Sequence, residues 1–393
     1  MKFSIISYNF IGGSTGYYHF GKDILIGGGE VYLYYLVKFL SKEGHDVHII
    51  QTDSKEISTN LDNVTIHGVK MPFNLSGDKG LINRYVFFNL LWKKADAWKN
   101  SDRIHFHDYL NAFPHGDNRM TGMSMAINWD DPRYAVLDSL GLKMRFYRDY
   151  VRFLAKYAIK NLKKVVSIDR FFFRFVQSEM PEYRDKIEVI LNFVDTDLFN
   201  SRNNGRSLRS QYGNDRTVIL FPRNFGLGRG GLELIKAVSI LVKKYPDVLL
   251  LMTGEGPEKP LAEKIVKENR LANNVKFIGH VDHFKDMPKL FAAADIVVVP
   301  TLSSEATSLA CLEAMATKKP VVVTNVGGLP DIVTDGFNGL VAKPHSKYLA
   351  EKLESYILDK KLRQTLANTG YKWVKKYHNY KLWCNQYKQF FDI

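Results

Sequence analysis

The chain has 393 residues, of which 45% are apolar and 13 are prolines, so it is a globular protein long enough for about two domains. The two cysteines, Cys311 and Cys384, match no metal-binding or redox spacing. No apolar run approaches the roughly 18 residues that a membrane-spanning helix needs. Both observations predict a cytoplasmic protein. The net charge of +14 favours an acidic partner, which could be nucleic acid, an anionic membrane surface or a phosphorylated small molecule.

Short apolar runs alternate with helical patterns along the whole chain. The runs are FSIISY, DVHIIQ, RIHFHD and KVVSID in the first half, and TVILF, VLLLMTG, VKFIG, IVVVP and PVVVT in the second. This alternation predicts two doubly wound α/β domains, each with a parallel sheet covered on both faces. Polar and turn-forming residues cluster at 192–210, where the domains are expected to join. Ligands of such sheets lie beyond the carboxyl ends of the strands, so two facing sheets predict an interdomain cleft.

A glycine-rich loop, IGGG, opens the first predicted helix. Glycine turns between a strand and a helix are common, and this one lacks the spaced glycines of a dinucleotide fingerprint. By itself it is weak support for a phosphate site.

Residues 143–164, KMRFYRDYVRFLAKYAIKNLKK, show three stripes when wound at about 100° per residue. One stripe is an apolar core face, and an aromatic stripe separates it from a basic one. Basic and aromatic side chains together suit an anionic membrane surface, whereas a solvated helix with aromatics at the edge of the core gives the same pattern. No nucleic-acid motif accompanies the stripe, so nucleic acid is not predicted as a partner. The basic stripe is Arg145, Arg148, Arg152, Lys156 and Lys160, and the aromatic stripe is Phe146, Tyr150, Phe153 and Tyr157.

A second glycine-rich loop, RNFGLGRGG, follows the strand TVILF and contains Arg223 and Arg229. Arginine binds phosphate oxygens in a bidentate manner, and glycines let the backbone approach a diphosphate closely. The loop therefore predicts a diphosphate site, and the alternative is a turn with two solvated arginines.

Two glutamates, Glu305 and Glu313, follow the strand IVVVP. Thr307 or Ser308 is a suitable N-cap for a helix over LACLEAMAT, which residues 318–320 would end. With Glu305 before the cap and Glu313 in the second turn, both side chains can point into one cleft. The helix N-terminus between them offers free N–H groups and a partial charge of about +0.5, which suits a phosphate. The alternative is that both glutamates are solvated.

Together these motifs resemble the retaining glycosyltransferases of family 4, which have the GT-B fold. The segments that carry the resemblance are GGGE with EGHDV, HFHD, KIEVILNFVDTDLF, PRNFGLGRGG, TGEGP, VKFIGHV, and the glutamate pair followed by KKPVVVTNVGGLPDIVTDGFNGLVAKP. The resemblance implies two doubly wound Rossmann-like domains facing a cleft. Residues 1–200 would bind the acceptor and residues 201–370 the nucleotide sugar. A C-terminal helix over 371–393 would return to the N-terminal domain.

The resemblance also implies roles for individual residues. Glu305 would contact the donor sugar at the catalytic centre and Glu313 the ribose. Arg223 and Arg229 would neutralise the diphosphate, although the family usually has lysine at position 229. The other donor-binding positions are Gly28 near the leaving group, the backbone N–H groups of Thr307, Ser308 and Leu309 at the phosphates, and residues near Gly254 and Val281 at the base.

The sequence departs from the family pattern at one catalytic position. The family usually has a histidine in a T-x-H setting near the end of an N-terminal strand, where the segment GMSMAINWDDP offers Asn128 or Trp129. His105 and His107, in RIHFHD, end the preceding strand and are further candidates. A lone histidine at a strand end is more often structural, so we list Asn128 and His107 as catalytic candidates with that alternative open.

The predicted site needs no metal ion, because cations and a helix dipole can stabilise a departing nucleoside diphosphate. The DTD sequence at 195–197 mimics the aspartate motif of metal-dependent transferases, but the family has the same wording in this segment. Asp130 and Asp131, in WDDP, are likewise interpreted as loop residues. We therefore predict no metal and no cofactor, with a UDP- or GDP-sugar as co-substrate.

Two function classes follow. The first is a glycosyltransferase that moves a sugar from a nucleoside-diphosphate sugar to a saccharide or lipid-linked acceptor with retention, in the cytoplasm or on the cytoplasmic face of a membrane. The second is a catalytically weak homologue that binds a nucleotide sugar and supports a partner enzyme. The glutamate pair and the two arginines favour the first class, and the missing histidine favours the second.

Overall fold

The structure is a computed structural model that describes residues 1–7, 27–53, 58–61, 64–70, 89–90, 96–112, 116–125, 142–213, 215–303 and 305–393. The chain divides into two compact units. The first is Met1–Ile190 together with Tyr387–Ile393, and the second is Leu191–Gln386.

The first unit is built on a sheet with the strand order β3-β4-β2-β1-β5-β6-β7-β8. Neighbouring strands are parallel except β3, which is antiparallel to β4. Its elements are β1 (Lys2–Ile6), α1 (Gly28–Lys42), β2 (Asp46–Asp53), β3 (Ser58–Leu61), β4 (Val64–Lys70), α2 (Asp96–Lys99), β5 (Arg103–Phe106), β6 (Met120–Ser124), α3 (Leu142–Asn161), β7 (Lys164–Ser167), α4 (Arg170–Glu179) and β8 (Ile187–Val189), with 3-10 turns at Tyr109–Ala112 and Pro181–Lys186.

The second unit has a wholly parallel sheet with the order β11-β10-β9-β12-β13-β14. Its elements are α5 (Arg206–Tyr212), β9 (Thr217–Phe221), α6 (Gly231–Leu241), β10 (Val248–Thr253), α7 (Lys259–Glu268), β11 (Val275–Gly279), α8 (Met287–Ala293), β12 (Ile296–Val299), α9 (Leu309–Ala316), β13 (Val321–Thr324), a 3-10 turn at Leu329–Asp331, β14 (Leu340–Ala342), α10 (Ser346–Leu358), α11 (Lys360–Tyr377) and α12 (Tyr380–Phe391), whose last turns belong to the first unit.

Both faces of the second sheet are buried, as its continuous apolar runs predict. Along β9, Ile219 and Phe221 join one core, whereas Val218 and Leu220 join the core on the opposite face. A strand buried on both faces has no polar alternation, because successive side chains point to opposite sides. The doubly wound α/β prediction is confirmed for both sheets.

The unit boundary falls after Ile190, next to the segment 192–210 in which the join is expected. The cause is the packing of the following segment on the second unit. Val194 and Phe199 lie in its core, the Val194 N–H donates to the His378 carbonyl at 2.7 Å, and the Asn192 N–H donates to Thr307 Oγ1 at 3.0 Å. These contacts make the segment part of the second unit although its sequence looks like a linker.

The C-terminal region expected as one helix over 371–393 is formed by the end of α11 and by α12. Of this region, Tyr387–Ile393 groups with the first unit. There the Tyr387 hydroxyl lies 2.8 Å from the Tyr32 hydroxyl, and the Phe391 ring packs edge-on against Phe3 at 5.2 Å. Buried aromatic contacts of this kind fix the chain end in the core of the first unit. In the described residues, no helix is long and apolar enough to cross a membrane.

We expect Tyr387→Phe to destabilise the protein by about 1–3 kcal/mol, because it leaves the buried Tyr32 hydroxyl without this hydrogen bond. Urea denaturation measures the change. The matched control is Tyr150→Phe, since Tyr150 is half-exposed on α3 and should change stability by less than about 0.5 kcal/mol. Equal effects of the two variants would contradict the assigned role of the buried pair.

Candidate functional site

The carboxylate of Glu305 is the centre of a polar cluster in the second unit. Its Oε2 accepts hydrogen bonds from Arg223 Nη2 at 2.7 Å, Arg229 Nη1 at 2.8 Å and Thr301 Oγ1 at 3.0 Å. Arg223 Nη1 also donates to Thr301 Oγ1 at 2.7 Å. We call Glu305, Arg223, Arg229 and Thr301 the Glu305 cluster. The structure thus brings together the glutamate and both arginines that the sequence placed in separate loops.

The Glu305 cluster carries a net positive charge, because two guanidinium groups face one carboxylate. Burial alone would raise the pKa of Glu305, but the charges of Arg223 and Arg229 outweigh burial and hold that pKa below its ordinary value. Arg223 is nearly buried, whereas the Arg229 side chain is 42% exposed. Arg229 is therefore the cation of the pair that can turn toward a bound anion with less loss of packing.

Two glycines let neighbouring loops approach the Glu305 cluster closely. Gly327 has φ +56°, and a Cβ there would lie 1.9 Å from the Glu305 carbonyl oxygen. Gly254 has φ +86°, and a Cβ there would lie 2.7 Å from the Arg223 carbonyl oxygen. A larger residue at either position would displace the backbone of a cluster residue. Gly254 therefore contacts the cluster through the backbone. Val281, which like Gly254 was predicted to lie near the nucleotide base, is half-buried against the core of the second unit.

Helix α9 begins beside the Glu305 cluster with an uncapped N-terminus. Ser308 is its N-cap, as expected, but no side chain of the cap residue bonds to the helix. Thr307 Oγ1 instead accepts the Asn192 N–H, and the Asn192 side chain donates to the Thr307 carbonyl. The N–H groups of the first turn, beginning with Leu309, have no intrahelical partners. They present a partial positive charge that suits a phosphate.

Glu313 lies in the second turn of α9, with its side chain buried. Its Oε1 is 3.6 Å from His283 Nε2. Burial raises the pKa of Glu313 to about 8 and lowers the pKa of His283 to about 4, so both groups are uncharged at neutral pH. The two glutamates of the motif therefore differ in charge. Glu305 is an ionised carboxylate with arginine partners, whereas Glu313 is a neutral carboxyl that faces a neutral imidazole.

The candidates in the first unit lie near the start of α1. His107 follows β5, and its Nε2–H donates to the Gly29 carbonyl at 2.9 Å, directly after Gly28. Its Nδ1 is buried without a hydrogen-bond partner among the described residues, and burial lowers the pKa of His107 to about 4. His107 is thus a neutral imidazole that holds the glycine segment. Asn128, Trp129, Asp130 and Asp131 lie outside the described residues.

The first aspartate of the DTD sequence, Asp195, stabilises a turn. Asp195 Oδ1 accepts the backbone N–H groups of Asp197 and Leu198, at 3.0 and 3.3 Å. Such side-chain bonds to nearby N–H groups are typical of aspartate in turns. Within the described part of the chain, no group of three or more His, Cys, Asp or Glu side chains is arranged to hold a metal ion.

Family models match both halves of the chain. Residues 26–198 match "Glycosyltransferase Family 4", and residues 207–373 match "Glycosyl transferases group 1". The chain belongs to the GT-B glycosyltransferases. An uncharacterized glycosyltransferase of Methanocaldococcus jannaschii is 29% identical over 359 residues, which are 90% of this chain and 91% of the relative.

Solved structures of the same fold cover the whole glycosyltransferase chain. Sucrose-phosphate synthase from Thermosynechococcus elongatus aligns with a TM-score of 0.83 and 19% identity over 100% of this chain and 98% of its own. Anabaena HepE in complex with UDP and glucose aligns with a TM-score of 0.75 and 17% identity over 100% and 99%. At these identities the likeness establishes the fold.

Sequence reasoning missed two residues of this site. Thr301 directly follows the predicted strand IVVVP and lies four residues before Glu305, so its position at the strand end was a usable signal. His283 lies in HVDHF, after the strand VKFIG, and nothing in its local pattern separates it from a surface loop histidine. Its proximity to Glu313 is a tertiary contact between segments 30 residues apart.

We expect the stability difference between wild type and Glu313→Gln to depend on pH. A carboxyl whose folded pKa is near 8 binds a proton more tightly when folded, so wild-type stability falls as pH rises from about 4.5 to above 8. Glutamine cannot ionise, so this loss of stability is absent from the variant. As the pH rises from 5 to 9, the free energy of unfolding of the variant should increase relative to that of wild type by on the order of 2–5 kcal/mol. Denaturation with urea at several pH values measures this difference.

The control for this experiment is Glu351→Gln, because Glu351 is exposed on α10. Its pH profile should run parallel to that of wild type. A parallel profile for Glu313→Gln as well would contradict the neutral state assigned to Glu313.

Proposed function

We propose that the protein transfers a sugar from a nucleoside-diphosphate sugar to a hydroxyl of a saccharide or lipid-linked acceptor, with retention of configuration and without a metal ion. The Glu305 cluster beside the uncapped start of α9 is the observation that supports this most strongly. Two guanidinium groups, together with first-turn N–H groups that lack a side-chain cap, would make a site for a diphosphate. The UDP in the HepE complex supports a uridine nucleotide as the first donor to test.

In this proposal the second unit stabilises the leaving group. Breaking the bond between the anomeric carbon and the phosphate oxygen adds negative charge to the nucleoside diphosphate. Arg229, which is partly exposed, would turn from Glu305 toward the phosphates, while Arg223 stays paired with Glu305. Cations and N–H groups aimed at the developing charge stabilise the transition state more than the ground state.

Relieved of Arg229, the Glu305 carboxylate can accept hydrogen bonds from hydroxyls of the donor sugar and hold its reacting carbon in place. The acceptor hydroxyl would attack the anomeric carbon on the face that the phosphate leaves, and its proton would pass to the departing phosphate oxygen. Glu313 would bind the ribose hydroxyls. The positive charge of the arginines takes the part that a divalent ion has in other transferases, so we propose that turnover survives EDTA.

For the first unit we propose an acceptor role at residues near the start of α1. His107 orients the segment that contains Gly28 through its bond to Gly29, which agrees with a positioning function better than with proton transfer, because its pKa is low. Asn128 stays a candidate for orienting the acceptor or the donor sugar. Both cysteines are free thiols, which supports a cytoplasmic enzyme.

We also propose that α3 contacts an anionic membrane surface, where a lipid-linked acceptor would be found. Tyr150 and Phe153 are exposed on this helix, next to the exposed Lys156 and Lys160. Lys156 pairs with Glu182 at 2.8 Å, which reduces the free charge of the patch. The side chains of residues 142–148, which include Arg145 and Arg148, lie outside the described part of the helix.

The experiment that tests the function is a thermal-shift screen of UDP-, GDP- and ADP-sugars, followed by measurement of nucleoside diphosphate release with saccharide and lipid-linked acceptors. We expect stabilisation by one donor class and release that persists in EDTA. Tight donor binding without transfer or slow hydrolysis would instead favour the catalytically weak homologue. No binding of any nucleotide sugar would contradict both functions.

We expect Arg229→Gln to lower the affinity for the preferred nucleoside diphosphate by about tenfold, which corresponds to the loss of one charge-assisted contact. Affinity for the unphosphorylated nucleoside should change by less than about twofold. Calorimetry measures both, and Arg202→Gln, at an exposed position, is the matched control. Equal losses for the nucleoside and its diphosphate would place Arg229 away from the phosphates.

We expect Lys156→Gln with Lys160→Gln to weaken binding to vesicles of phosphatidylglycerol, by about thirtyfold at low salt and less at high salt, since each of the two charges near such a surface is worth roughly 1 kcal/mol. Vesicle sedimentation measures the binding. The control pair is Lys243→Gln with Lys372→Gln, two exposed lysines of the second unit. A wild-type protein that ignores anionic vesicles at low salt would leave only the solvated-helix interpretation.

A further inference from the structure

His283 is the polar side chain that approaches Glu313 in the described part of the second unit. It lies in the loop between β11 and α8, and its Nε2 is 3.6 Å from Glu313 Oε1. Both side chains are largely buried, with 16% and 7% exposed. A neutral imidazole and a carboxyl have therefore been removed from water next to each other, without the short distance that a hydrogen bond requires.

This arrangement does little for stability as it stands. At 3.6 Å the two neutral groups are too far apart for an ordinary hydrogen bond, so their contact adds little to the free energy of folding. Local arrangements that do not serve stability are expected at functional sites. Glu313 lies on the helix that begins at the proposed phosphate site. A nucleotide bound at that site is therefore the ligand that Glu313 and His283 would contact.

The orientation of the His283 ring is fixed by aromatic neighbours. Its centroid lies 5.3 Å from the ring of Phe199 and 4.9 Å from that of Phe284. Phe199 is buried and also packs edge-on against Phe291 at 5.8 Å. The loop itself is pinned, because Asp282 Oδ1 accepts the N–H groups of Phe284 and Lys285 at 2.9 and 2.7 Å. The ring is thus held with Nε2 directed toward Glu313.

We infer that His283 is a positioning residue for ribose recognition: it donates from Nε2 to one oxygen of Glu313 and so orients the carboxyl toward the two ribose hydroxyls of a nucleoside diphosphate. The inference rests on the proposed donor site and adds a residue to it. A movement of under about 1 Å would bring the 3.6 Å approach to ordinary hydrogen-bond length. With that oxygen held, the carboxyl presents a fixed edge to the vicinal hydroxyls.

A comparison of ligands separates positioning from a merely structural role. The probes are whichever of UDP, GDP and ADP wild type binds most tightly, and the 2′,3′-dideoxy form of the same diphosphate. For His283→Ala we expect about a five- to tenfold loss of calorimetric affinity for the ribose form and less than a twofold loss for the dideoxy form. His283→Gln, which keeps an N–H donor near the Nε2 position, should restore most of the affinity.

Two further variants complete the test. His283→Ala should cause no additional loss in a Glu313→Gln background, because the pair acts as one unit. His345→Ala removes a histidine whose Nδ1 caps α10 through the Lys347 N–H, and it should leave the ratio between the two ligands unchanged. Thermal unfolding of each variant shows that it is folded before binding is measured.

Equal losses for the ribose and dideoxy ligands in His283→Ala, or no loss in either, would overturn the inference while leaving the donor site intact. Independent, additive effects of His283→Ala and Glu313→Gln would overturn it as well. A wild-type protein that binds none of the three diphosphates would contradict the proposed function itself. These outcomes are distinguishable because wild-type binding is measured first.

Discussion

The ion pairs between Glu305 and the two arginines are the interaction on which the second unit's site depends. They join the loop after β9 to the loop after β12, and Thr301 bonds to both partners. A buried charge without a partner is strongly destabilising, so neither the carboxylate nor Arg223 can be lost alone without disturbing both loops. The same charges give the cluster its excess of positive charge. The same ion pairs therefore hold the two loops together and provide the positive charge that would attract an anion.

Environment makes two glutamates of one helix-and-loop segment chemically different. Arginine neighbours keep Glu305 ionised, whereas burial beside His283 keeps Glu313 neutral near pH 7. A neutral and a charged carboxyl on either side of a helix N-terminus reduce the repulsion that two carboxylates would exert on a phosphate.

The sequence was sufficient to predict the doubly wound sheets, because the apolar runs of buried parallel strands and the N-cap at Ser308 are local signals. It also identified Glu305, Arg223 and Arg229 separately. It could not show that the arginines bind Glu305 in the free protein, nor that His283 approaches Glu313, since both are contacts between distant segments. Nor could it show that residues 191–200, which look like a linker, pack on the second unit, where Val194 and Phe199 lie in a core.

The most direct test of the central claim is a crystal structure of the protein with the nucleoside diphosphate that it binds most tightly. We predict phosphate oxygens within about 3 Å of the Arg229 guanidinium and of N–H groups at the start of α9, with the ribose hydroxyls at Glu313. Arg223 should stay paired with Glu305. A diphosphate bound elsewhere, with Arg229 still held by Glu305 and the first turn of α9 untouched, would contradict the account.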